Sequence, residues 1–108
     1  MVGEISALGA AQRIRERPES VLLLDVREND ERAAAAIHPS LHIPMDQLPS
    51  RLEEIPRDRE LIVFCHHGSR SLMVAGYLEG EGFERVLNLS GGIDAWSARF
   101  DPKVPRYS

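Results

Sequence analysis

The stretch Leu61-Ile62-Val63-Phe64-Cys65-His66-His67-Gly68-Ser69-Arg70-Ser71 decides how this chain folds. Its first four residues form an apolar run of strand length without polar alternation, as suits a strand buried on both faces. From Ser69 to Glu81 the residues suit a helix, with Leu72, Val74, Ala75 and Leu78 available for burial. Gly68 lets the intervening backbone take φ > 0 and curl, so that successive N–H groups turn inward. A cysteine therefore closes a buried strand, and a helix opens within a few residues of it. In parallel α/β sheets, sites form in the crevice beyond the carboxyl ends of the strands.

Outward from this stretch the same alternation repeats. Toward the N-terminus, Glu4-Ile5 is a short extended segment, and Ser6 can cap a helix with Leu8, Ala11 and Ile14 on its apolar side, stopped by Pro18. Val21 to Leu24 is a second continuous apolar run, with Asp25-Val26-Arg27 at its end. Residues 28–36 read as a short helix with acids in its first turn. Leu41-His42-Ile43 reads as a short strand between two prolines, and Asp46 to Ile55 as a helical stretch broken near Pro49. Val86-Leu87-Asn88-Leu89 is a last strand, followed by Gly91-Gly92 and a helix through Trp96. Strands alternating with helices at this spacing predict an α/β fold with a parallel sheet covered on both faces.

At 108 residues the chain is expected to form a single domain over 1–108. With 43% hydrophobic and 28% charged residues, its composition is that of an ordinary globular protein. Its longest apolar runs, Leu61 to Cys65 and Ala33 to Ile37, are far too short to cross a membrane. Met1-Val2-Gly3-Glu4 shows no secretory pattern, and the single cysteine, Cys65, fits a reducing cytoplasm. The net charge of −4 argues against nucleic acid as a partner. Residues 1–60 hold 8 basic and 12 acidic side chains, and residues 61–108 hold 5 of each. Between Leu61 and Leu78 the only formal charge is Arg70, so an anion approaching this segment meets no local carboxylate.

An isolated cysteine is most often a small buried hydrophobe. Here strand end, glycine, helix start and arginine coincide, and each favours an anion, whether a thiolate or a bound oxyanion. The thiolate is the reactive form of cysteine, and this setting should lower the pKa of Cys65. His66 and His67 supply loop N–H groups and shape the entrance. No metal site is expected, because consecutive residues rarely point at one ion and no second ligand pair is evident. Asp25 and Arg27 read as a structural pair bracing the neighbouring loop. His38 and His42 read as turn and edge residues, Trp96 as core, and Arg99, Lys103 and Arg106 as a solvated basic tail.

The segment from Cys65 resembles the active-site loop of rhodanese-like sulfurtransferases, a cysteine opening a six-residue loop before a helix. Asp25-Val26-Arg27-Glu28, His42-Ile43-Pro44-Met45 and Gly91-Gly92-Ile93-Asp94-Ala95-Trp96 are similar to three further segments of that family, in the same order. The resemblance spans nearly the whole chain and implies a single rhodanese-like domain with a five-stranded, mostly parallel sheet. It also implies a reaction. Cys65 takes the sulfane sulfur of thiosulfate or a similar small anionic donor as a persulfide, then passes it to cyanide or a thiol, including a protein thiol. On this reading His66, His67, Gly68, Ser69 and Arg70 bind substrate, Asp25, Arg27 and Ser71 support the loop, and no cofactor is required. The loop differs from the Cys-Gly-x-Gly-Val-Thr pattern of mercaptopyruvate sulfurtransferases, which favours thiosulfate as donor. Ala35 to Ser40 and Arg32 depart from the family pattern and bear on acceptor preference. Two alternatives stand beside this. One is a persulfide carrier or interaction domain serving a protein partner. The other is a cysteine-dependent phosphatase or arsenate reductase, disfavoured because four residues, rather than five, separate Cys65 from Arg70.

Overall fold

A computed structural model describes residues 2–108. Five strands, β1 (Gly3–Ile5), β2 (Val21–Asp25), β3 (Leu41–His42), β4 (Glu60–Phe64) and β5 (Val86–Leu89), form one sheet in the order β1-β5-β4-β2-β3. Every pairing is parallel, where a mostly parallel sheet was expected. The two apolar runs, β2 and β4, pair in the middle in the register Leu24↔Val63, because only central strands can bury both faces. The short β1 and β3 occupy the edges.

Helices cover both faces. On one lie α3 (Ser69–Gly80) and the 3₁₀ segment Met45–Glu54, packing Val74, Ala75, Leu78 and Leu48 on Leu24, Leu61, Val63 and Val86. On the other lie α1 (Ala7–Glu16) and α4 (Gly92–Arg99), packing Ala7, Ala10, Ile93 and Trp96 on Val21, Leu23, Ile62, Phe64 and Leu89. Ser6 caps α1 as expected, its Oγ accepting the Gly9 N–H at 3.0 Å. No helix among the described residues is long and apolar enough to cross a membrane.

Three local expectations change. Leu8 is 58% and Leu72 44% exposed, because α1 buries the Ala7, Ala10 side and α3 the Ser71, Val74, Ala75, Leu78 side. The short helix α2 covers Asn29–Ala34 and stops before residue 36. At Ala35 the backbone turns extended, and its carbonyl accepts from Arg27 Nη2 at 2.8 Å. A tertiary hydrogen bond thus overrides the helical preference of the alanine run.

Candidate active site

The carboxyl ends of β2, β4 and β5 converge, and the loops leaving them build the site. After β4, the backbone passes through Cys65, His66 and His67 to Gly68, whose φ of 111° is left-handed. This turn brings α3 back over the cysteine. The Gly68 N–H donates to Cys65 Sγ at 3.1 Å, and the Ser71 N–H and hydroxyl each stand 3.3 Å from it. The loop is held from behind by α4. The Ile93 N–H donates to Cys65 O at 2.9 Å, and the Asp94 N–H to His66 O at 3.1 Å. Gly92 (φ 62°) permits this approach, since a Cβ there would stand 2.5 Å from Cys65 O.

Cys65 is a free cysteine, 1% exposed. Burial pushes its thiol up, but the Ser71 hydroxyl, the Ser71 and Gly68 N–H groups and the charge of Arg70 together outweigh that, leaving it below its ordinary value. Behind Ser71 lies Asn88 of β5, 3% exposed, whose Oδ1 accepts from the Ser71 hydroxyl at 2.5 Å. Asn88 Nδ2 donates to Gly68 O at 3.1 Å and to both carboxylate oxygens of Glu4 on β1. The register Glu4↔Asn88 places these two side by side.

Arg70 leaves the first turn of α3 toward α2, where Nη1 and Nη2 donate to the two carboxylate oxygens of Glu31 at 2.6 and 2.8 Å. The Glu31 carboxyl is lowered to about 2, foremost by this pair. The pair uses two of the five guanidinium N–H groups, and the Arg70 side chain keeps 33% of its surface exposed. Ser69 is exposed at the start of α3.

Arg27 is wholly buried. Nε and Nη2 donate to the Asp25 carboxylate at 2.9 and 2.7 Å, and Nη2 also to Ala35 O. Nη1 donates to Glu31 O and to the Tyr107 hydroxyl, so all five N–H groups are used. Full pairing offsets the cost of burying this ion, and the guanidinium ties β2, α2 and the C-terminal segment into one support.

His66 turns its Nε2 to Tyr107 O at 2.9 Å and stacks on the Tyr107 ring. The His67 side chain is exposed, with Nε2 3.9 Å from the Asp94 carboxylate. Consecutive histidines do converge here. His66, His67 and Asp94 each bring a ligand atom within 4.8 Å of the others, but Arg106 spans Asp94 with two bonds of 2.9 Å and balances its charge. The tail is thus more than a solvated basic segment. Arg106 pairs with Asp94, and the Tyr107 hydroxyl donates to Glu31 at 2.9 Å. Glu31, Asn88, Glu4 and Tyr107 were absent from the residues picked out by sequence. Only Asn88 carried a signal, a polar residue inside an apolar strand.

The model of the rhodanese-like domain matches residues 8–99. A protein of Allochromatium vinosum named sulfurtransferase is 43% identical over 104 residues, covering 96% of each chain. A thiosulfate sulfurtransferase of Coxiella burnetii is 33% identical over 98 residues, covering 91% of this chain and 90% of its own. The crystal structure of a rhodanese-like domain protein from Staphylococcus aureus superposes with a TM-score of 0.84 at 29% identity, covering 99% of this chain and all of that one.

Proposed function

The chain belongs to the rhodanese-like domain family, and on that premise we propose that it transfers sulfane sulfur from thiosulfate through a Cys65 persulfide to a nucleophilic acceptor. The observation that carries this reading is the placing of Gly68 N–H, Ser71 N–H and Ser71 Oγ around one buried sulfur. The Cys65 thiolate attacks the outer sulfur of thiosulfate. A sulfur–sulfur bond forms to Cys65, the bond within thiosulfate breaks, and sulfite leaves with its electron pair. Cyanide or a thiolate then attacks the outer sulfur of the persulfide, and the electron pair of the breaking bond returns to Cys65 as thiolate. Both steps are two-electron displacements that call on no redox cofactor. N–H groups already aimed at the sulfur stabilise its negative charge without reorganising. The three N–H groups of Arg70 not used by Glu31 are suited to the oxyanion end of the donor. A free thiol in this role suits a reducing cytoplasm.

Incubation with thiosulfate should add one sulfur atom to the intact mass, and subsequent cyanide should remove it. Cys65→Ser should abolish both while keeping the thermal melt of the parent. Near-parental turnover by the serine variant would refute the mechanism. A persulfide that forms but passes only to a protein thiol would make the chain a carrier. Aryl phosphate hydrolysis lost with Cys65→Ser would assign it to phosphoryl chemistry instead.

A further inference from the structure

Behind the sulfur, one proton is placed between two acceptors. The Ser71 hydroxyl carries a single hydrogen, and its oxygen stands 3.3 Å from Cys65 Sγ and 2.5 Å from Asn88 Oδ1. The other end of Asn88 shows which way its amide is turned. Nδ2 faces Gly68 O and the Glu4 carboxylate at 3.1–3.2 Å. Reversing the amide would set its oxygen against a carbonyl and a carboxylate with no proton between them. Oδ1 therefore faces Ser71 and accepts from it.

We propose that Asn88 is a positioning residue that holds the Ser71 proton away from Cys65 and so restrains ionisation of the thiol. This deepens the sulfur-transfer reading and rests on Cys65 as its nucleophile. In the thiol state the Cys65 S–H donates to Ser71 Oγ and the Ser71 hydroxyl to Asn88 Oδ1, so every acceptor is served. On ionisation the Cys65 proton passes to a base in solvent. The Ser71 hydroxyl must then turn to the thiolate, leaving Asn88 Oδ1 buried without its donor. An orphaned buried acceptor is costly, and that cost opposes the anion favoured by the loop N–H groups.

The charged groups around this cluster are Arg70 on α3 and Glu4 on β1. β4 and β5 contribute the uncharged Val63 and Asn88, and the His66 ring turns away to Tyr107. Removing the Asn88 side chain leaves its other partners served. Glu4 keeps the Ser90 hydroxyl at 2.8 Å, and Gly68 O keeps the Leu72 N–H at 3.2 Å.

The test follows iodoacetamide alkylation of Cys65 against pH in the full chain. Asn88→Leu frees the Ser71 proton for sulfur and should lower the midpoint by about one pH unit, the equivalent of one hydrogen bond. Asn88→Ala removes the same acceptor in a smaller side chain and should lower it likewise. In a Ser71→Ala background, Asn88→Leu should lose its effect, which a merely structural role would not predict. An unchanged or raised midpoint in Asn88→Leu, or the same drop with and without Ser71, overturns the proposal. Should the leucine variant fail to fold, an unchanged or raised midpoint in Asn88→Ala overturns it equally. Alkylation needs no sulfur donor, so a failure of sulfur transfer would leave this result standing.

Discussion

At Cys65 two effects oppose each other, and the winner sets the pH range in which the residue is a thiolate. Burial pushes the thiol up; the hydrogen bonds from Ser71 and Gly68 and the charge of Arg70 together outweigh it and leave the thiol below its ordinary value. The alkylation rate of the parent protein should therefore rise with pH and level off around a midpoint below about 8.5, the value of a free thiol. A midpoint at or above that value would mean that burial wins. A depressed thiol also contributes stability that is complete above the unfolded value and is lost as pH falls through the folded one. Arg70 is tied to Glu31 yet keeps three N–H groups, so Arg70→Ala should reduce kcat/KM for thiosulfate about ten- to a hundredfold, the equivalent of one charge-assisted contact. Unchanged steady-state kinetics would remove Arg70 from donor binding.

At the scale of elements, the loop after β4 keeps its shape because two helix N-termini meet it. α3 brings its first turn to Cys65 Sγ, and α4 donates two N–H groups to the carbonyls of Cys65 and His66. Two glycines separate what that arrangement needs from what it merely tolerates. Gly92 has φ 62° and no room for a Cβ, so Gly92→Ala should destabilise by at least ~2 kcal/mol. Gly76 lies on the exposed side of α3, where a Cβ would come no closer than 4.0 Å to Val2, so Gly76→Ala should stabilise by about 0.5–1 kcal/mol. Urea unfolding of the two variants checks both signs.

At the scale of the whole molecule, Glu31 joins segments far apart in sequence. Its carboxylate accepts from Arg70 on α3 and Tyr107 in the tail, while its own carbonyl accepts from Arg27. Because its partners, Arg70 foremost, lower the folded carboxyl from 4.5 to about 2, its contribution to stability is complete above about 4.5 and disappears as pH falls toward 2. Glu31→Gln should therefore be less stable than the parent at pH 7, and the difference should shrink in urea unfolding at pH 3. A difference of equal size at both values would show that the Glu31 charge does not hold these segments together.

The alternation of strands and helices, the burial of β2 and β4 on both faces, the Ser6 cap and the position of Cys65 at a strand end are legible in the amino-acid sequence alone. These follow from periodicity, apolar runs and backbone preference, which act between residues close along the chain. It could not show that Leu8 and Leu72 face outward, because a broad apolar stripe does not reveal which edge meets the sheet. Nor could it show which polar groups surround the thiol. Asn88 reaches Ser71 from 17 residues away, Arg70 finds Glu31 across 39 and Tyr107 finds it across 76. Those pairings arise on folding, because the strand order β1-β5-β4-β2-β3 brings the ends of separate strands to one edge. There each buried polar group must take its partner from whatever the fold sets beside it.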